Sequence, residues 1–324
     1  MSDVIIAHSD SDVLNRLSRK IGLLKNVNVV DKVRVASNFF EAVRKSNPDV
    51  LIMGMKFENI SGLDLVDKLI KTDPVPILVV SSGEKLEREE AVRSLSYGVI
   101  DVLEADYSPE EIRSLIGVAL KAEKSDLRPE DLSFPKVNLS SEKIIVIGSS
   151  TGGPGTLEFI LKNIPETISV PILVAQHMSA TYTSLFAQRL DSLCSLKVKE
   201  AQQGEEIDRA TVYLAPGDKD MRVDSSEKIS LIDGSNRPTP SIDELFKSVS
   251  SVYGSRTVAL VLTGMGKDAG IGSRFIKSEK GQVIVQDRDT SKIYGMGKHV
   301  VNQGDADRVL PLEEIPQALI RCLK

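Results

Sequence analysis

The feature that most constrains this chain is a rhythm. Short apolar runs are each followed by an amphipathic segment, and the alternation occupies nearly the whole length. The runs at residues 4–7, 27–30, 50–53, 77–80 and 100–103 read as strands, and the segments at 13–23, 62–71, 87–95 and 109–120 carry apolar residues at helical spacing. Runs that are apolar throughout, without alternation, suit parallel strands covered on both faces, and parallel neighbours need a crossover about as long as a helix. Five such units predict a doubly wound, flavodoxin-like sheet for the first part of the chain. The start of its last helix is marked by Ser108 as N-cap, Pro109 at the first helical position and Glu111 as the returning partner of a capping box.

The rhythm lapses between residues 123 and 142. Lys124-Ser125-Asp126-Leu127-Arg128-Pro129, Ser133-Phe134-Pro135 and Ser140-Ser141 have no apolar face to bury, so the interval reads as a linker. The expected organisation is a domain over 1–122, a linker over 123–142 and a second domain over 143–324, as suits a chain of 324 residues. In the second domain strands are expected at 144–147, 170–175, 258–262 and 282–286, and helices at 156–163, 182–191 and 241–251, the last opened by a Ser241 and Glu244 capping box. Short strands around 212–218 and 228–232 read as a β-hairpin insertion. This is again α/β with a parallel sheet.

Several function classes are excluded. With 41 basic and 46 acidic side chains the net charge is −5, which leaves no electrostatic footprint for nucleic acid or an anionic membrane surface. Cys194 and Cys322 lie in no CxxC pair, so neither a disulfide framework nor a cysteine zinc site is expected, and no metal or organic cofactor is called for. Asp3 before the first apolar run and His8-Ser9-Asp10 after it describe a first strand rather than a signal peptide. No apolar run approaches the roughly 20 residues of a membrane-spanning helix, so a cytoplasmic protein without membrane insertion is expected.

The chemistry points to residues 144–155. Ile144-Ile145-Val146-Ile147 run into Gly148-Ser149-Ser150-Thr151-Gly152-Gly153-Pro154-Gly155, a strand, a small-residue turn and a helix start. A hydroxyl there sits above the carboxyl end of a strand, beside helix N–H groups able to receive negative charge. Two other expected strand ends present His177 and Asp268. In a parallel sheet these ends share one edge, so a hydroxyl nucleophile, an imidazole base and a carboxylate that orients it are all available. Chemistry alone leaves Ser149 and Ser150 open as the nucleophile. His299, beside Lys298 and at no strand end, ranks below His177, and Asp268 has an alternative use as the cap of a helix beginning near Ala269. The order Ser, His, Asp speaks against a lipase-type hydrolase. Neither glycine-rich loop matches G-x-x-x-x-G-K-[ST] or G-x-G-x-x-G, which leaves a nucleotide-binding protein a weak reading.

Four segments in order, Gly148-Ser149-Ser150-Thr151-Gly152-Gly153, Gln176-His177-Met178, Leu214-Ala215-Pro216-Gly217-Asp218 and Leu262-Thr263-Gly264-Met265-Gly266-Lys267-Asp268, resemble the motifs of the chemotaxis protein-glutamate methylesterase family. The resemblance implies a receiver domain, a linker and a catalytic α/β domain. It implies Ser150 as nucleophile, His177 as base, Asp268 as orienting acid, and Thr151 with the N–H near Met265 at the oxyanion. It further implies hydrolysis of glutamyl γ-methyl esters on chemoreceptor helices, with deamidation of receptor glutamines as related chemistry, and a chemotaxis histidine kinase or adaptor as a further partner. Lys267 and Ala269 stand where many members carry a neutral residue and a glycine.

The first domain resembles the receiver of response regulators chiefly in pattern. The acidic-pair position reads His8-Ser9, the phospho-acceptor position reads Gly54, and the Lys-Pro position reads Ala105-Asp106, while Ser81 keeps its type. Without a carboxylate cluster for Mg²⁺ or a carboxylate nucleophile, a pseudo-receiver is expected; Asp10 could shift into the acidic site, but nothing replaces Gly54. A non-catalytic chemotaxis signalling adaptor is the rival reading for the whole chain.

Overall fold

The computed structural model describes residues 1–81, 83–104, 106–122, 142–234 and 238–323. The expected linker over 123–142, all but its last residue, and Ala105 of the Lys-Pro position lie outside them. The chain divides into two compact units.

The first unit runs β1 (Ser2–Ala7), α1 (Ser11–Gly22), β2 (Val27–Val33), α2 (Phe39–Ser46), β3 (Val50–Gly54), a two-residue ribbon of β4 (Lys56–Phe57) and β5 (Ile60–Ser61), α3 (Gly62–Thr72), β6 (Ile77–Ser81), α4 (Lys85–Leu95), β7 (Asp101–Glu104) and α5 (Pro109–Ala119). Its five main strands are parallel in the order β2-β1-β3-β6-β7, the flavodoxin-like arrangement expected. β3 and β6 are buried along their whole length, which explains their unbroken apolar sequence. The capping box of α5 forms as read, the Ser108 hydroxyl accepting from the Glu111 N–H and the Glu111 carboxylate accepting from the Ser108 N–H. Asp10 caps α1, its Oδ1 accepting from the Asp12 and Val13 N–H groups. The pattern missed α2, whose opening Phe39-Phe40 gives no helical spacing of its own.

The second unit runs β8 (Ile144–Ser149), α6 (Gly153–Lys162), β9 (Ile172–Gln176), α7 (Ala180–Leu193), β10 (Lys197–Glu200), β11 (Thr211–Leu214), β12 (Lys219–Val223), β13 (Ile229–Asp233), α8 (Ile242–Tyr253), β14 (Thr257–Val261), α9 (Gly270–Ser278), β15 (Gln282–Gln286), α10 (Met296–Gln303), β16 (Arg308–Leu310) and α11 (Ile315–Cys322). Seven strands form one parallel sheet in the order β10-β11-β9-β8-β14-β15-β16.

The hairpin expected from 212–218 with 228–232 is corrected. Val212, Tyr213 and Leu214 are buried in β11, parallel to β9 and β10, and the hairpin is β12 with β13, joined through the turn after Val223. A fully apolar run belongs between two neighbours, whereas the mixed burial of Lys219–Val223 suits a ribbon with one wet face. At Ser241 the hydroxyl accepts from the Glu244 N–H as expected, while the Glu244 carboxylate pairs with Arg222 of β12. No described helix is long and apolar enough to cross a membrane.

The sheet grows outward from β8 in both directions, first through β9 and β11, later through β14, β15 and β16. The carboxyl ends of β8 and β14 therefore flank the crevice where the winding reverses, the usual site location in such sheets. Helix α8 reaches this crevice because Gly148 leaves room for it; a Cβ at Gly148 would run into the Ile242 side chain. Gly148→Ala is expected to lower stability by about 1–3 kcal/mol, the range for overpacking a close-packed interior, seen as a lower thermal midpoint of the second unit.

Candidate active site

β8 delivers two adjacent hydroxyls whose fates differ. Ser149 is 0% exposed, and its hydroxyl donates to Gln176 Oε1 at 2.5 Å. Ser150 lies just past the strand end, with Oγ 3.1 Å from His177 Nδ1. The two hydroxyls thus differ in position: that of Ser149 is committed to Gln176, and that of Ser150 faces the imidazole.

His177 follows β9, and its N–H donates to the Ser149 carbonyl at 3.0 Å, which draws the two strand ends together. Its Nε2 is 2.8 Å from Asp268 Oδ2. An ionised carboxylate only accepts, so Nε2 carries the proton and Nδ1 presents its lone pair to the Ser150 hydroxyl. That is the arrangement in which an imidazole can take a proton from a serine.

Asp268, in the loop after β14, receives more than the imidazole. The Ile242 N–H donates to Oδ2 at 2.9 Å, and the Asp243 and Ala269 N–H groups donate to Oδ1 at 2.9 and 3.1 Å. Two of these are unpaired first-turn donors of α8, so the carboxylate caps a helix distant in sequence as well as touching its own. Burial alone would push this carboxyl up. The His177 hydrogen bond and charge, with the Ile242 and Asp243 N–H groups, outweigh burial and hold it below the usual aspartate value. Asp243 moves the other way: burial raises it against the pull of the Gly272 N–H, which donates to Oδ1 at 2.6 Å, and the Asp268 charge raises it further.

The aspartate loop closes over Ser150. The Ser150 N–H donates to the Thr263 carbonyl at 3.0 Å, and the Thr263 hydroxyl donates to the Thr151 carbonyl at 3.0 Å. A Cβ at Gly264 would lie 2.6 Å from Ser150 Cβ, so this residue must be glycine for the loop to approach. Among the described residues, neither the Thr151 nor the Met265 N–H has a protein acceptor, and Met265 is exposed. Ala269 adopts φ 82°, a left-handed conformation that favours glycine. Lys267 is exposed, and His299 lies on α10 against Gly270 rather than with Ser150.

A family model described as CheB methylesterase matches residues 145–319, and one described as response regulator receiver domain matches residues 4–117. The protein-glutamate methylesterase/protein-glutamine glutaminase of Thermotoga maritima is 34% identical over 309 residues, covering 89% of this chain and 90% of the relative. The chain belongs to the CheB methylesterase family. A relative of the same name from Bordetella pertussis is 35% identical over 300 residues, covering 86% of this chain and 85% of its own. The crystal structure of the Thermotoga maritima CheB methylesterase catalytic domain matches with a TM-score of 0.54 at 42% identity, spanning 56% of this chain and 99% of that one.

Two features of this CheB family member escaped the sequence reading. Gln176 is 1% exposed and donates from Nε2 to the Ser150 and His177 carbonyls, each at 2.9 Å. The signal was there, a polar residue ending an otherwise apolar strand just before the histidine. The α8 N-terminus on Asp268 carried no signal, because it is a tertiary contact across 26 residues.

In the receiver unit, the pocket above β3 is filled. A Cβ at Gly54 would lie 2.7 Å from His8 Nε2 and closer still to Cδ2, so the imidazole stands where a longer side chain would emerge. His8 is buried, accepts the Asp10 N–H at Nδ1 over 3.0 Å, and has Nε2 3.8 Å from the buried Glu87 carboxylate. Burial lowers its pKa against the opposing pull of Glu87 and Asp10. Asp106 is exposed, and Ser81 is buried with its hydroxyl accepting from the Gly83 N–H at 3.3 Å.

A carboxyl lowered in the native state adds stability in full above its unfolded value near 4, and that stability is lost as pH falls from there through the lowered native value. Asp268→Asn removes this titration. Its acid unfolding limb is expected to be shallower than the parent's below about pH 4, measured by circular dichroism across a pH series.

Proposed function

We propose that this chain is a protein-glutamate methylesterase in which Ser150, His177 and Asp268 act as a catalytic triad on chemoreceptors in the cytoplasm. The observation that carries the reading is the continuous hydrogen-bond path from the Ser150 hydroxyl through both ring nitrogens to a carboxylate kept ionised. His177 Nδ1 takes the Ser150 proton as Oγ attacks the carbonyl of a glutamyl γ-methyl ester on a receptor helix. The Thr151 and Met265 N–H groups, which have no acceptor among the described residues, receive the oxyanion. Collapse expels methanol, protonated by the imidazolium, and leaves Ser150 acylated. Water, deprotonated by His177, then releases the glutamate carboxylate. Asp268 holds the imidazole in the required tautomer and stabilises its charged form. A receptor glutamine entering the same path would release ammonia, which is how deamidation fits one site.

We infer further that the receiver unit is not a phosphoryl switch. The support is chemical and steric: Gly54 offers no carboxylate nucleophile, and His8 fills the space above it.

Ser150→Ala and His177→Ala are expected to fold as the parent does and to lower methanol release from methylated chemoreceptor membranes by about 10⁴-fold or more. Ser149→Ala is expected to keep substantial activity. Full turnover by Ser150→Ala would end the assignment. Separately, the full chain incubated with acetyl phosphate and Mg²⁺ is expected to gain no hydroxylamine-labile phosphate, and Gly54→Asp alone is expected not to restore it. Stoichiometric acyl phosphate on the parent chain would refute the pseudo-receiver reading.

A further inference from the structure

The carboxamide of Gln176 is fully committed. Its oxygen accepts from the Ser149 hydroxyl at 2.5 Å, and its two N–H groups go to the carbonyls of Ser150 and His177 at 2.9 Å each. The orientation is set by its partners, since two carbonyls demand the donor end. All this occurs at a residue 1% exposed, at the end of β9, directly beneath the serine and the histidine.

The geometry points to Gln176 as a positioning residue for the oxyanion donor, a role that rests on the triad proposed above. A peptide unit is planar and trans, so its N–H points opposite to its C=O. The Ser150 carbonyl is held on the inner side by Gln176 Nε2 and by the Gly153 N–H at 2.8 Å. The Thr151 N–H, the other end of that same peptide, is thereby turned outward. Were the Ser150 carbonyl released, the peptide could rotate and carry the donor away from the oxyanion while Ser150 Oγ and His177 stayed in place.

The surroundings are shaped for this side chain. A Cβ at Gly153 would collide with Gln176 Oε1 and come 2.9 Å from Ser149 Cβ, so the glycine at the start of α6 is the gap into which the carboxamide fits. The same amide also fixes the His177 carbonyl, so one side chain ties both strand ends in register.

Gln176→Glu tests the role with little change of shape. Ionised, the introduced carboxylate has no proton for either carbonyl; protonated, it can donate to one. The expected result at neutral pH is a kcat for methanol release from methylated chemoreceptor membranes lower by about 10- to 100-fold, somewhat below the loss on deleting an oxyanion donor outright. KM is expected to stay within about twofold, because the donor matters for the transition state more than for substrate binding. The loss is expected to shrink as pH falls and the new carboxyl protonates. A merely structural role would not produce that pH profile. Gly153→Ala, which crowds the carboxamide without changing its chemistry, is expected to lower kcat in the same way but with no new pH dependence.

Thermal midpoints and circular dichroism at each pH separate these effects from unfolding. A Gln176→Glu kcat within twofold of the parent, a loss confined to KM, or a loss that tracks the unfolded fraction would each overturn the positioning role. Ser150→Ala is run alongside. If it is inactive while Gln176→Glu is fully active, only this inference falls; if it turns over, the triad reading falls instead.

Discussion

The structure depends most on one carboxylate. Asp268 takes N–H groups from the first turn of α8, from its own loop, and from His177. Three elements remote in sequence thus meet on two oxygen atoms: the loop after β14, the end of β9 and the start of α8. A helix N-terminus has unpaired donors that must find acceptors, and a carboxylate this buried needs hydrogen bonds to stay ionised. Each requirement is answered by the other. The helix adds its hydrogen bonds to the pull of His177 in keeping Asp268 charged, and Asp268 supplies the acceptor that anchors the helix over Gly148.

From that point the site follows by adjacency. β8 and β14 are neighbours where the sheet reverses its winding, so Ser150 and the aspartate loop share a crevice, and β9 lies next to β8 with His177 at its end. The spare polar groups of the strand ends are used to hold backbone. Ser149 and Gln176 brace the turn after β8, while Thr263 links the turn to the loop that carries Met265 and Asp268. The groups proposed for chemistry are Ser150, His177 and the Thr151 and Met265 N–H groups, the last two without an acceptor among the described residues.

Much of this was legible in the sequence, for identifiable reasons. Unbroken apolar runs such as Val50-Leu51-Ile52-Met53 and Val258-Ala259-Leu260-Val261 can be little else than parallel strands, and they placed both sheets. Strand ends then placed Ser150, His177 and Asp268 on one edge. Short or polar elements were missed: β10 is only Lys197–Glu200, β16 only Arg308–Leu310, and neither carries a pattern. The hairpin was displaced because Val212-Tyr213-Leu214 reads alike as an inserted strand and as a sheet strand until its neighbours are known. His8 over Gly54 was invisible for the same reason; a loss of chemistry can be read from residue types, but the ring that fills the vacated space is a matter of packing.

The central claim is that Ser150, and not the adjacent Ser149, is the attacking group. The most direct measurement is peptide mapping by mass spectrometry after the full chain reacts with a fluorophosphonate, which bonds covalently to a serine activated by its base. The account predicts one added phosphonyl group, on Ser150, and none in His177→Ala over the same time. A label on Ser149, or equal labelling without the histidine, would contradict it.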